Sequence, residues 1–346
     1  MNMIFKKILI CAVCAVSLTG CGKRSISSAE EIYSDRNIFA MDTFMTIRAY
    51  GDNADEALKS AEEKIKYLES IFSVTIDESD IYKINNSHGS TVEISPETAE
   101  ILVEAVKMCG KTDGALDITL YPVLNSWGFT SDNFRIPDTK EITELLEYVD
   151  YSEISVQGRN VTVPDGFQLD LGALAKGYTS DAVADVLREN GVESAVINLG
   201  GNVRTLGKKP DGSLWKIAVR DPFNTDNDMC VLETGEISVV TSGNYERYFE
   251  GDDGQRYWHI LDPSDGFPAD NGLVSVTVIG ESGLYCDALS TALFVMGEDR
   301  AVEFWRKNQD FDMILVTDSH EIMYTSGVEN SFENLTEMSA EVIFSD

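Results

Sequence analysis

The stretch LYCDALSTALFVM at 284–296 restricts the fold more than any other part of the chain. Its spacing is helical and its side chains are apolar nearly all round, so a helix here has no face to give to water and must be enclosed. It is too short to cross a bilayer, so the enclosure is protein. Within it, Asp287 and Thr291 stand four apart, on one face. A buried carboxylate needs a partner, and a hydroxyl one turn away makes a two-oxygen face for a hard cation such as Mg2+. The same pair also fits a helix in which Asp287 stabilises the N-terminus and Thr291 bonds back to a carbonyl. That arrangement is the commoner one, and spacing alone does not choose between them.

The surrounding chain supplies mixed elements to enclose it. TFMTIRAY at 43–50 alternates and is rich in β-formers, which predicts a strand. Ala54, Ala57, Leu58, Ala61, Ile65 and Leu68 predict an amphipathic helix over 52–70, and a second is expected over 96–108, ending before Gly110. A third helix is expected over 174–188, and a buried strand over 194–199 runs into Gly200 and Gly201. Strands dominate 213–279; a last helix near 300–307 and strands near 313–316 and 342–344 close the body. This order predicts an α+β fold, with mixed sheets and packed helices and no regular doubly wound sheet.

Charge excludes one class of partner. The 346 residues carry 27 basic and 59 acidic side chains, a net −32, so nucleic acid, whose binding rests on basic neutralisation, is not an expected ligand. The first twenty residues read as a signal: Lys6 and Lys7 precede an apolar run over 8–16. Leu18-Thr19-Gly20-Cys21 then resembles the bacterial lipoprotein signal, in which the cysteine is lipidated. The expected organisation is a signal peptide over 1–20, lipidated Cys21 with a flexible spacer to 36, and one domain over 37–346. The mature chain would sit extracytoplasmically on the outer face of the cytoplasmic membrane, or on an outer membrane if the cell has one. Its net charge would then be −34, which repels anionic lipid and leaves tethering to the acyl chains. Cys109, Cys230 and Cys286 remain, an odd number and no disulfide framework.

Four further segments carry chemistry. QLDLGALAKGYTSDAV (168–183) sets Asp170, two glycines and Lys176 where strand turns to helix, a junction that suits an anion; it is not a Walker loop, since the glycine spacing differs. A glycine-permitted turn with a solvated lysine fits equally well. NLGGN (198–202) allows close backbone approach or merely a tight turn. TSGNYERYF (241–249) precedes RYWHILDPSDGFPAD (256–270), where His259 sits in an alternating strand; lone strand histidines are more often structural than catalytic.

Together with MDTFMTI (41–47), SDIYKIN (79–85) and TDGALDITLYPVLNSWGF (112–129), these boxes resemble, in order, the ApbE family of flavin-transferring lipoproteins, the FAD:protein FMN transferases. The resemblance runs from about Ala40 to Gly297. It implies a T-fold-like α+β body with FAD in a cleft between lobes and Mg2+ at the pyrophosphate. The implied metal ligands are Asp287, Thr291 and the carbonyl of Ala173. The implied cofactor contacts are Met41, Thr43, Ala115, Leu116, Asp117, Asp170, Lys176, His259 and Ile260. Two positions depart from the family pattern: Thr75 stands where a tyrosine meets the flavin, and Asp42 replaces the glycine of a Met-Gly-Thr box.

The implied reaction is Mg2+-dependent transfer of FMN from FAD to a threonine or serine hydroxyl of an acceptor flavoprotein, releasing AMP. His259 is the candidate base, with Asp170 and Asp265 as rivals and Lys176 as a phosphate contact. The acceptors that the resemblance implies are extracytoplasmic subunits of membrane redox complexes or secreted flavoproteins. Hydrolysis of FAD to FMN and AMP, or flavin binding without catalysis, are the alternatives.

Overall fold

The computed structural model describes residues 32–131 and 133–345. The expected signal peptide and Cys21 lie outside them. Nine strands form one sheet, side by side in chain order: Tyr33–Ala40, Thr43–Tyr50, Ala195–Leu199, Asn202–Leu206, Ser238–Gly243, Leu273–Gly280, Asp312–Thr317, Glu321–Thr325 and Ser339–Ile343. Every neighbour is antiparallel except the last pair, which is parallel. The predicted strand Thr43–Tyr50 alternates as expected, with Met45, Ile47 and Ala49 buried. Its partner Tyr33–Ala40 corrects the expected spacer: Tyr33 pairs with Tyr50 and Arg36 with Ile47, so the folded body starts before Asn37.

Everything else is inserted between these strands. Six helices fall between the second and third: α1 (Ala54–Phe72), α2 (Asp80–Asn85), α3 (Pro96–Lys111), α4 (Tyr121–Trp127), α5 (Thr139–Leu145) and α6 (Ala175–Glu189). Two more, α7 (Gly283–Met296) and α8 (Glu298–Asn308), lie between the sixth and seventh. Helix α3 runs through Gly110, past its expected end, because Thr112 closes the extra turn with both its N–H and its hydroxyl on the Met108 carbonyl. Strands Trp215–Arg220, Asp228–Thr234 and Phe332–Asn334 make a small sheet against the opposite face. The seventh strand shows the layering: Met313 and Leu315 enter the helical core, Ile314 and Val316 the core shared with the small sheet.

The all-apolar helix α7 is enclosed as its sequence demands. Leu289, Leu293 and Phe294 are fully buried, each contributing about 1.5–3 kcal/mol relative to exposure. Cys109, Cys230 and Cys286 are buried free thiols. From Ile32 onward the chain forms one compact unit, with no division into separate lobes.

Candidate functional site

Helices α6 and α7 cross on two glycines. A Cβ on Gly177 would run into the Gly283 carbonyl and Asp287, and a Cβ on Gly283 into Ser180 and the Gly177 carbonyl. Only backbone fits between them, which brings Asp287 to the first turn of α6. There Asp287 Oδ2 accepts the Gly177 N–H at 2.8 Å, and Oδ1 lies 3.9 Å from Lys176 Nζ. The Gly177 N–H therefore does not bond the carbonyl of Ala173 four residues back, which leaves that oxygen available.

This geometry removes the capping reading of α7. The N-terminus is stabilised not by Asp287 but by Asp181, whose carboxylate accepts the N–H groups of Gly283 at 2.8 Å and Leu284 at 3.1 Å. Back-bonding is done by Ser290, whose hydroxyl donates to the Asp287 carbonyl. Asp287 and Thr291 are free of both local duties. Thr291 shares a 3.4 Å contact with Ser242, which also bonds Ser290. Burial pushes the Asp287 carboxyl above the usual carboxylate range, with Lys176 and the Gly177 N–H opposing. Among the described residues no three Asp, Glu, His or Cys side chains converge as a metal-holding group. The donors here are one carboxylate, one hydroxyl and one carbonyl, an all-oxygen set of the kind a hard cation takes.

The boxes around the crossing interlock through backbone. Asn85, at the end of SDIYKIN, bonds both the N–H and the carbonyl of Leu169. Asp170 N–H then donates to the Ile118 carbonyl at 2.8 Å. Asp170 Oδ1 accepts the Gly172 N–H at 2.7 Å, and burial raises its pKa against the pull of that bond, Lys176 and Arg247. His259 feels the same two cations. It lies just past the short strand Arg256–Trp258 rather than within a strand, and its N–H and Nδ1 both meet the Arg247 carbonyl at 3.1 Å. A carbonyl only accepts, so Nδ1 carries the proton and Nε2 the lone pair. Burial pushes the imidazole pKa down to about 4. Lys176 thus acts on Asp287, Asp170 and His259 together.

The tip of the first hairpin joins this cluster. Met41 and Asp42 both take positive φ, +49° and +56°, a two-residue turn that prefers Gly, Asn or Asp. The family glycine replaced by Asp42 thus meets a backbone that aspartate tolerates, whereas Met41 is the strained residue, held by its N–H on Glu69 at 2.7 Å. The Thr179 hydroxyl, which donates to the Ala175 carbonyl at 2.6 Å, lies 3.7 Å from Met41 Sδ, and Thr43 packs where a Cβ on Gly200 would stand. Gly201 has open space on its Cβ side.

Other expected residues divide. Ala115, Leu116 and Ile260 are buried among the helices. Asp117 is occupied structurally: it accepts from Thr119 N–H and hydroxyl and from Tyr151 N–H. Asp265 is exposed and bonds Phe267 N–H, and among the described residues the charge that acts on it is Asp262 and not Lys176. Thr75 is exposed; Tyr121, which senses both Asp170 and Tyr82, is the aromatic nearer the cluster.

The sequence reading missed Asp181, Arg247 and Asn202. Asn202 is only 2% exposed, yet neither Nδ2 nor Oδ1 completes a hydrogen bond within 3.5 Å among the described residues, Asp287 being the group its amide approaches. Leaving such a group unpaired costs about 1–3 kcal/mol. Its place directly after paired glycines was the available signal.

Comparison with known proteins is decisive. The model of the ApbE family matches residues 41–315. The chain belongs to the ApbE family. A FAD:protein FMN transferase of Klebsiella pneumoniae is 38% identical over 279 residues, 79% of this chain and 86% of that protein. One from Treponema pallidum is 30% identical over 93% of each chain. The crystal structure of an ApbE protein from Thermotoga maritima superposes with a TM-score of 0.82 at 34% identity, covering 87% of this chain and 99% of that one. The ApbE flavinyl transferase of Pseudomonas stutzeri gives 0.76 at 30%, covering 84% and 93%. These agreements establish the α+β ApbE fold expected from the sequence.

Proposed function

We propose that this chain is an FAD:protein FMN transferase, moving FMN from FAD to an acceptor protein. A hydroxyl oxygen of an acceptor threonine or serine attacks the FMN-side phosphorus, the bond to the bridging oxygen breaks, and AMP leaves. The attacking hydroxyl gives its proton to a base. The observation that carries the reading is the crossing of α6 and α7, which sets the buried Asp287 carboxylate on the Gly177 N–H and 3.9 Å from Lys176, the lysine that also acts on Asp170 and His259.

The donors suit Mg2+, and the unbonded Ala173 carbonyl and orphaned Asn202 amide fit a group that completes the site. Asp287, Thr291 and the Ala173 carbonyl would hold it, and when bound it would offset negative charge on the pyrophosphate. The chain's own residues do the rest. Lys176 and Arg247 supply local positive charge, which a protein of net charge −32 needs if it is to attract a dianion. His259 Nε2 holds a lone pair ready for the hydroxyl proton. Its low pKa rises when an anion binds beside it, which makes it a better base with substrate present.

The acceptor is proposed to be an extracytoplasmic flavoprotein subunit, met by an enzyme tethered through Cys21. Incubation with FAD, Mg2+ and an acceptor bearing a flavinylation motif tests the function. Covalently fluorescent acceptor with matching AMP is expected. Free FMN with unlabelled acceptor would replace transfer by hydrolysis, and FAD binding without AMP would leave only a flavin carrier.

A further inference from the structure

Asn202 opens its strand directly after the Gly200–Gly201 turn, its backbone fixed between Leu199 and Val240. Its side chain turns inward, and its carboxamide faces Asp287. Neither Nδ2 nor Oδ1 completes a hydrogen bond within 3.5 Å of any described group, although the amide lies close enough to Asp287 to draw its carboxyl pKa down. Across from it, Asp287 has spent one oxygen on Gly177, while the other lies 3.9 Å from Lys176, beyond hydrogen-bond reach. Two polar groups thus face each other in the interior, each with capacity left over. Buried polar groups in native proteins are almost always paired, so such a gap points to a partner that arrives later.

We propose that Asn202 is a positioning residue of the cation site, closing its amide N–H on Asp287 and its carbonyl on a metal-held water when a divalent ion binds. The inference rests on the reading of Asp287 as a cation ligand. The division of roles follows from charge. The Nδ2 hydrogens suit a carboxylate and are repelled by a cation, whereas Oδ1 suits a polarised water. Groups that orient a metal's ligands in this way typically change affinity by about 10–100-fold when removed.

The test is titration of the whole protein with Mn2+ alone, without FAD, followed by electron paramagnetic resonance, alongside thermal unfolding in chelator. Asn202→Leu matches the volume and removes both polar groups. The expected result is Mn2+ affinity weakened by about 10–100-fold, with the metal-free melting temperature unchanged or raised. Asn202→Asp, which keeps an oxygen, should recover part of that affinity. Unchanged affinity in Asn202→Leu together with a lowered metal-free melting temperature would make Asn202 merely structural and overturn the proposal. If the unaltered protein binds Mn2+ no better than Asp287→Ala does, the cation reading itself fails and the inference falls with it.

Discussion

Gly177 donates its N–H to Asp287 Oδ2 at 2.8 Å, so a single side chain joins two helices whose residues are 110 positions apart. That bond exists only because neither helix has a side chain at the crossing.

Gly177→Ala therefore tests the crossing itself. The new methyl meets the Gly283 carbonyl, backbone that cannot swing aside. The expected loss is about 2–4 kcal/mol in urea unfolding, with AMP release abolished. Gly201→Ala is the control: its Cβ meets nothing, and the φ of +92° alone should cost about 1 kcal/mol. Equal losses in the two variants would contradict the close-approach argument.

Asp287→Asn separates function from folding. The folded pKa of Asp287 is raised, so the folded state binds its proton more tightly, and ionisation costs stability as pH rises above the usual carboxylate range. At pH 7 in chelator the variant should be at least as stable as the parent, yet release no AMP from FAD. Turnover that survives the substitution would remove Asp287 from the site.

His259 makes the opposite contribution. Its folded pKa, about 4, lies below the ordinary 6.5, so its share of stability is full above pH 6.5 and is lost as pH falls through that window. The difference between parent and His259→Gln should shrink by about 3 kcal/mol between pH 7 and 4 in denaturant titrations. In kinetics, kcat/KM should stay level down to about pH 5. A limb near 6.5 would show an ordinary imidazole.

Asp181→Asn probes the anchor of α7. Asp181 accepts two helix N–H groups and lies 3.3 Å from Arg204, which is itself 8% exposed. Removing the charge leaves that guanidinium poorly paired, and a loss of about 2–4 kcal/mol is expected in urea, with a weaker dependence of turnover on Mg2+. A loss below 0.5 kcal/mol would show that α7 is seated by apolar packing alone.

Much of this was legible before the structure. Helix α7 announced its burial through the lack of any polar face, and the strand Thr43–Tyr50 announced its register through alternation. The chemistry of Asp287 was not decidable from spacing, because the choice depended on whether some other residue capped α7. That residue, Asp181, lies 102 positions from the Gly283 it bonds, and no local pattern encodes such a cap. Asp117 was expected to contact the cofactor, as Asp170 was. Thr119, two residues beyond Asp117, was the local sign that this carboxylate would be spent on its own turn. Arg247 had no sign at all, since only folding brings it beside Asp170 and His259.

The chain-ordered sheet has a consequence for handling the protein. Tyr33–Ala40 forms one border and Ser339–Ile343 the other, and eight gaps of about 4.8 Å put the two borders roughly 35–40 Å apart. A circular permutant must bridge that span, with a linker of at least about a dozen residues. A reporter fused after Ile343 would sit across the sheet from the hairpin that carries Met41 and Asp42, away from the side on which the first strands lie.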